Sequence, residues 1–230
     1  MGGQTPEEGE VLERLAFRRH STRAFLPEPV PDELLDWMFR TAQRTPSWCG
    51  TQPWEVLLLS GEANRRFGVA LTAYAEGDPP EMFHFDPPEE YTGIYRDRRR
   101  ATGFALYDSV GVEKSDLEGR RRLLLNNFSA FGAPHIAIIT SDSTLGTYVA
   151  IDCGAYVNSL TLVAESLGIA TVVQASTVMY ASFIHDYLGL PENRKLVCGI
   201  GFGWEDRENP INGFRTDRED VSNVVTRLQD

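Results

Sequence analysis

The chain has little cysteine, no long hydrophobic run and no excess of basic charge. Its three cysteines, Cys49, Cys153 and Cys198, form no Cys-x-x-Cys pair, which argues against a zinc site or a disulfide framework. No apolar run approaches the roughly 18 residues that a membrane span needs. Lys and Arg number 22 against 33 Asp and Glu, and a net charge of −11 does not suit nucleic acid or an anionic membrane. We therefore expect no metal, nucleic-acid or membrane partner and, without a signal peptide, a cytoplasmic protein.

Apolar spacing predicts alternating helices and strands. The length suggests one domain over 11–230, after a flexible leader over 1–10. Helical spacing occurs over 11–19, 34–42, 61–76, 91–109, 116–128, 146–167 and 182–190, and short apolar strands occur over 54–59, 135–140, 171–174 and 195–202. Strands separated by helices predict an α+β or α/β sandwich with one sheet. The 146–167 helix is apolar nearly all round, which is typical of a central helix or of one against a partner subunit.

A basic segment follows the first predicted helix. Arg19-His20-Ser21-Thr22-Arg23 places two guanidinium groups and two hydroxyls within five residues. Arginines at a helix C-terminus are commonly solvated, where they complement the helix dipole. The same groups also suit a phosphate, because arginine offers a charged fork and a hydroxyl adds a neutral donor. The residues alone leave both interpretations open.

Three further segments carry candidate functional residues. The linker Pro46-Ser47-Trp48-Cys49-Gly50-Thr51-Gln52-Pro53-Trp54 leads into the first strand, Gln174-Ala175-Ser176 ends the third, and Asn212-Gly213-Phe214-Arg215-Thr216-Asp217-Arg218 follows the last. Taken singly, they are a proline turn with aromatic packing, a strand end and a solvated tail. The 77–88 loop, with four prolines, is either a surface loop or a pocket wall.

In this order and at these separations, the segments resemble the FMN-dependent nitroreductase family. Family members open with Arg-x-Ser-x-Arg or Arg-x-Ser-x-Lys and a phenylalanine, as do residues 19–25 here, and continue with Pro-Ser-x-x-Asn-x-Gln-Pro-Trp, except that Gly50 replaces the asparagine. Asn127-Phe128 and Phe131-Gly132-Ala133-Pro134 extend the resemblance to about 11–222. It implies a nitroreductase-like three-layer sandwich of the α+β class, with one central sheet flanked by helices, in an intertwined homodimer that binds FMN at its interface.

The resemblance also implies a role for each segment. One group would bind FMN at its phosphate end: Arg19, His20, Ser21, Arg215 and Arg218. A second would line the flavin site of the partner subunit: Pro46, Ser47, Trp48 and Gly50. Arg23 would lie beside flavin N1 and O2, where reduction places negative charge. The turn of Gln174, Ala175 and Ser176 would present backbone N–H groups to flavin N5. The candidate catalytic residues are therefore Arg23, Ala175 and Ser176.

The implied activity is that of an FMN-dependent NAD(P)H oxidoreductase. NADPH or NADH would reduce FMN, and a nitroaromatic or quinone would then take the two electrons in a ping-pong cycle. One alternative is an enzyme of the same fold with another acceptor, such as a reductive dehalogenase or an enone reductase. Another is an FMN-binding redox sensor without turnover, should Trp48 close the pocket. Residues within 77–95 are expected to cover the flavin.

Overall fold

The computed structural model describes residues 7–228, and its helices and strands follow the predicted order. The helices are α1 (Glu7–Arg18), α2 (Asp32–Ala42), α3 (Gly61–Glu76), α4 (Gly93–Ser109), α5 (Leu117–Leu125), α6 (Tyr148–Ser166) and α7 (Ala181–Leu188). The strands are β1 (Trp54–Ser60), β2 (His135–Asp142), β3 (Ala170–Gln174) and β4 (Arg194–Gly203). Each predicted helix and strand is present, with ends that differ by a few residues.

The four strands form one antiparallel sheet in the order β1-β2-β4-β3. Ile139 of β2 lies opposite Val56 of β1 on one side and Cys198 of β4 on the other. The register between β2 and β4 shifts after Ile139, as at a β-bulge. Because of this shift, Leu196 and Cys198 join opposite cores although they are two residues apart.

Helices cover both faces of the sheet and give the molecule three layers. Ala137 and Ile139 of β2 pack with α2 and α6, whereas Ile136 and Ile138 pack with α3 and α7. Both faces of β2 are thus buried, which is why this strand is a continuous apolar run rather than an alternating one. The predicted α+β sandwich with one central sheet is confirmed.

The N-terminal boundary differs from the prediction. Helix α1 begins at Glu7, so 7–10, expected as part of a flexible leader, form its first turn, and 1–6 lie outside the described residues. Three glutamates in that turn stabilise the helix, because their negative charges lie near the positive end of the helix dipole. Apolar spacing does not show this signal. Helix α7, in contrast, ends as expected at Gly189, which adopts the left-handed conformation at φ 61°.

Helix α6 buries one face and exposes the other. Its buried residues recur three or four positions apart and include Val149, Cys153, Tyr156, Leu160 and Ala164. Tyr148 and Ile151 lie away from this face and are 60% and 63% exposed, so large apolar side chains stay uncovered within the chain. Although α6 has 19 residues, neither it nor any other helix within 7–228 is long and apolar enough to cross a membrane.

Candidate functional site

Two segments from opposite ends of the chain meet in a basic cavity of about 560 Å³. The first contributes Ala16, Phe17, Arg19, His20, Ser21 and Arg23, and the second contributes Phe214, Arg215, Thr216, Asp217 and Arg218. The structure therefore brings the predicted N-terminal and C-terminal phosphate-binding residues together. The volume is in the range of small-molecule sites.

Asn212 holds the two walls of this basic cavity together. Its Oδ1 accepts a hydrogen bond from the backbone N–H of Arg23 at 2.7 Å, and its Nδ2 donates to the carbonyls of Ala24 and Asp206, both at 2.8 Å. The side chain is buried, so these bonds form away from water. Nothing in the sequence alone marks this residue, because an asparagine in a turn is common.

The basic cavity carries positive charge that the protein does not neutralise. Within the described residues, none of Arg19, Arg23, Arg215 and Arg218 has a carboxylate oxygen within 4.0 Å. Arg23 is half-buried, and burial lowers the pKa of its guanidinium because less water solvates the charge. Phe214 lies under this group, 5.9 Å from ring centroid to Cζ. Unpaired guanidinium groups around one cavity favour an anionic ligand.

His20 lines the basic cavity, but both of its ring nitrogens face acceptors of the protein. Nδ1 lies 3.0 Å from the carbonyl oxygen of Arg18, and Nε2 lies 2.9 Å from Oε1 of Glu205. His20 thus ties the basic segment to the end of β4, and its ring has no free nitrogen for a ligand.

The third predicted segment, 174–176, lies along the same sheet edge as the basic cavity. The backbone N–H of Thr22 donates to the carbonyl of Thr171 at 3.0 Å, which places the basic segment beside the start of β3. The strand then runs to Gln174, about 10 Å further at 3.3 Å per residue. The 174–176 turn therefore lies about 10 Å along β3 from the contact of the basic segment.

Ala175 and Ser176 begin a turn with available backbone donors. They open a 3₁₀ turn, Ser176–Val178, and the first N–H groups of such a turn have no partner within it. Asn127 fixes the turn, since its Oδ1 accepts from Gln174 Nε2 and from Ser176 Oγ, each at 3.1 Å. The predicted backbone donors are thus held in place by a side chain from the end of α5.

The 46–54 linker lies away from the basic cavity. The backbone N–H of Trp48 donates to Oδ1 of Asp152 at 3.1 Å, near the start of α6. Arg18, which immediately precedes the basic segment, instead contacts the end of this helix through an ion pair with Glu165. Asp152 and Glu165 are 13 positions apart on α6, or about 20 Å. Trp48 therefore does not close the basic cavity of its own chain.

The turn inside this linker accounts for the glycine at position 50. Gly50 has a φ of 67°, in the left-handed region that glycine enters freely and that asparagine tolerates better than most residues. Either residue therefore supports the same backbone. Ser47 closes the turn, since its Oγ accepts from the N–H of Gln52 at 2.8 Å. Pro46 and Trp48 are exposed, and the linker lines only a small cavity of about 180 Å³ against the start of α6.

The loop after α3 reaches the neighbourhood of the 174–176 turn. The N–H of Met82 donates to the carbonyl of Met179 at 2.7 Å, and the N–H of Ala181 donates to the carbonyl of Met82 at 2.9 Å. These bonds anchor part of the 77–95 segment a few residues beyond Ser176. Its role in covering a flavin stays a prediction.

A serine–histidine pair elsewhere in the molecule is structural. Nε2 of His135 accepts from the N–H of Val30 at 2.9 Å, so this nitrogen carries no proton. Nδ1 must then be the donor in its 2.7 Å contact with Ser60 Oγ. A base that activates a serine would have to accept that proton instead. Burial lowers the pKa of His135, in agreement with a neutral ring.

The donors of the basic cavity and of the 174–176 turn fit a flavin mononucleotide. Guanidinium and hydroxyl groups suit a phosphate at one end, and backbone N–H groups suit the flavin ring at the other. Two buried polar atoms of these segments, Thr22 Oγ1 and Gln174 Oε1, have no hydrogen-bond partner within the described residues. Buried polar atoms are rarely left in this state, and ligand contact is one way to satisfy them.

Known proteins resemble the chain over nearly its whole length. A model of the nitroreductase family matches residues 16–204. A 4-nitrobenzoate reductase of Pseudomonas putida is 35% identical over 201 residues, which cover 87% of this chain and 88% of that protein. Nitroreductase NfnB of Mycolicibacterium smegmatis is 34% identical over 227 residues, which cover 97% and 95%.

A solved structure shares the fold. The crystal structure of the FMN-dependent nitroreductase NfnB from Mycobacterium smegmatis, in complex with NADPH, matches with a TM-score of 0.91 at 32% identity. The match covers 97% of this chain and 100% of that one. The order of the segments, the three-layer sandwich and these matches agree, and the chain belongs to the nitroreductase family.

Proposed function

We propose that the chain is an FMN-dependent NAD(P)H oxidoreductase that reduces nitroaromatic compounds. The observation that carries this proposal is the basic cavity, in which four arginines meet beside an edge strand with no carboxylate partner among residues 7–228. The relatives of the chain indicate the cofactor and the electron donor, since NfnB of M. smegmatis is FMN-dependent and was crystallised with NADPH. The P. putida relative is named for the reduction of 4-nitrobenzoate, which gives the class of acceptor.

The arginines of the basic cavity would hold the phosphate of FMN and favour its reduction. Arg19, Arg215 and Arg218 offer charged forks to the phosphate, and the Ser21 hydroxyl adds a neutral donor. Arg23 would lie beside the N1 and O2 edge of the flavin, where a fixed cation stabilises developing negative charge. A flavin held by these residues would supply the hydride chemistry between a reduced nicotinamide and the acceptor.

The 174–176 turn would orient the reactive edge of the flavin. The N–H groups of Ala175 and Ser176 would donate to N5, and they need neither gain nor lose a proton to do so. Asn127 keeps the turn rigid through its bonds to Gln174 and Ser176. Electron donor and acceptor would use the same flavin face in turn, which gives a ping-pong cycle.

We also propose that a complete site needs two copies of the chain. The 46–54 linker lies about 20 Å along α6 from the contact of Arg18, the residue before the basic segment, so it does not line the basic cavity of its own chain. Beside the linker, Tyr148 and Ile151 of α6 are largely exposed, and Phe17 in the cavity wall is 82% exposed. A twofold homodimer would cover these side chains and bring the linker of one copy to the cavity of the other. A single domain and a cytoplasmic location stay predictions of the sequence.

An anaerobic visible spectrum of the FMN-loaded protein tests the proposed reaction. We expect NADPH or NADH to bleach the flavin and 4-nitrobenzoate to restore the oxidised spectrum. Reduction without reoxidation by any nitroaromatic would contradict the acceptor class and favour a same-fold enzyme with another acceptor. A bound flavin that neither coenzyme reduces would contradict the oxidoreductase proposal altogether.

The mass of the FMN-loaded protein tests the homodimer. Light scattering during size-exclusion chromatography is expected to give twice the chain mass of 25.7 kDa. A catalytically active monomer would contradict the proposal that the 46–54 linker completes the site of a partner.

A further inference from the structure

A second cavity adjoins the basic cavity and is lined by helix α4. Its volume is about 630 Å³, and it shares the wall formed by 214–218 with the basic cavity. The α4 residues in its wall are spaced three and four apart and so lie on one helix face: Arg98, Ala101, Thr102 and Ala105. Phe214 on the shared wall offers an aromatic face to both cavities. A ligand that binds beside the basic cavity can therefore contact this face of α4.

Arg98 contributes a guanidinium that an incoming anion can engage. Within the described residues its ion pair is with Glu219, whose carboxylate also accepts from Asn223 Nδ2 at 2.7 Å. The Arg98 and Glu219 side chains are 49% and 33% exposed, and ion pairs at this exposure contribute little to stability. A phosphate with nearly two negative charges is a stronger partner than one carboxylate, so it can displace Glu219.

We infer that Arg98 binds the 2′-phosphate of NADPH and so makes the enzyme prefer NADPH over NADH. This inference rests on the proposed function, because it requires a reduced dinucleotide beside the flavin. The two coenzymes differ only in that phosphate, and an arginine near the adenosine ribose is a usual means of accommodating it.

The charge of the second cavity agrees with this ligand. Its lining has three guanidinium groups, those of Arg98, Arg215 and Arg218, against the two carboxylates of Asp217 and Glu219. The cavity is thus locally positive in a chain whose net charge is −11. Since Arg215 and Arg218 are assigned to the FMN phosphate under the proposed function, Arg98 is the guanidinium of this lining that is left for a second phosphate.

Arg100 provides a matched control on the same helix. It lies two positions from Arg98, so it points to another side of α4, and it lines neither cavity. Arg98→Gln and Arg100→Gln remove the same charge from nearly the same part of the molecule. A difference between the two variants therefore reports the position of the guanidinium and not the net charge.

The first experiment measures kcat/KM for NADPH and for NADH with both variants. Losing a charged hydrogen bond to the 2′-phosphate is expected to lower the NADPH-to-NADH ratio about 10- to 100-fold in Arg98→Gln. Arg100→Gln is expected to leave the ratio unchanged. Equal losses for both coenzymes in Arg98→Gln, or equal changes of the ratio in the two variants, would overturn the inference.

The second experiment measures binding without turnover. Calorimetric titration of the protein with adenosine 2′,5′-bisphosphate is expected to show weaker binding by Arg98→Gln and tighter binding by Glu219→Gln, which frees the guanidinium. Affinity for FMN is expected to stay the same in Arg98→Gln, and a large loss would instead assign Arg98 to the flavin phosphate and overturn the inference. If the wild-type protein held no FMN, the proposed function would fail, yet the bisphosphate titration would still decide the role of Arg98.

Discussion

Replacing Asn212 by alanine tests whether one buried side chain joins the two walls of the basic cavity. Asn212 makes three hydrogen bonds, to the N–H of Arg23 and to the carbonyls of Ala24 and Asp206, with distances of 2.7–2.8 Å. Alanine makes none of them, so three backbone groups lose their partner. We expect the basic segment and the C-terminal segment to separate or to take in water at this point.

The magnitude follows from the number of bonds. Each buried hydrogen bond contributes about 1 kcal/mol net, so losing three lowers the free energy of unfolding by about 3 kcal/mol. For a chain of this length the Tm is expected to fall by about 6–12 °C. FMN affinity is expected to fall about 10-fold, since the ligand must then restore the alignment of the two walls itself.

The assay compares Asn212→Ala with Asn126→Ala in urea denaturation of the FMN-free protein and in FMN titration. Asn126 is exposed, and its side chain makes no hydrogen bond within the described residues, so its variant controls for the loss of an amide. Free energies of unfolding within about 0.5 kcal/mol of each other would refute the reasoning, because surface substitutions alone have effects of that size. A large loss of stability with unchanged FMN affinity would confine Asn212 to a structural role.

Three further predictions concern the flavin, the pH and the backbone around the site. Arg23→Ala is expected to keep FMN but to slow its reduction by NADPH about 100-fold in stopped-flow absorbance, with Arg23→Lys less affected; unchanged rates would remove this cation from the mechanism. Burial lowers the pKa of His135 in the folded protein, so the unfolded chain binds the proton more readily. The contribution of His135 to stability is therefore complete above about pH 6.5, the ordinary pKa of histidine, and falls as the pH drops below that value. Urea unfolding between about pH 7.5 and 5 is therefore expected to be less pH-dependent in His135→Gln, and an identical slope would contradict the assignment. A Cβ at Gly199 would lie 2.8 Å from the Cβ of Thr177, so Gly199→Ala is expected to lower the free energy of unfolding by about 1–3 kcal/mol. A Cβ at Gly103 in helix α4 would meet nothing within 4 Å beyond the helix's own backbone. Gly103→Ala is therefore expected to leave the free energy of unfolding unchanged or to raise it by up to about 1 kcal/mol. Equal effects of the two glycine substitutions would contradict the steric argument.

Local sequence patterns predict the order and type of the helices and strands. Their apolar periods are local properties, and the Gly189 stop of α7 follows from the conformational freedom of one residue. The same locality explains the error at the N-terminus, where glutamates and not apolar residues form the first turn of α1. The motifs that named the family are also short stretches of sequence, and the three-layer fold that they implied is confirmed.

Which of these stretches meet depends on contacts between residues far apart in the chain. Arg23 and Asn212 lie 189 positions apart, and no local pattern shows that the side chain of one would bind the backbone of the other. The strand order β1-β2-β4-β3 carries the basic segment to the edge of β3, while α6 holds the 46–54 linker about 20 Å away. Such contacts depend on which apolar faces pack together and which strands pair across the whole chain. The properties of single residues do not contain that information.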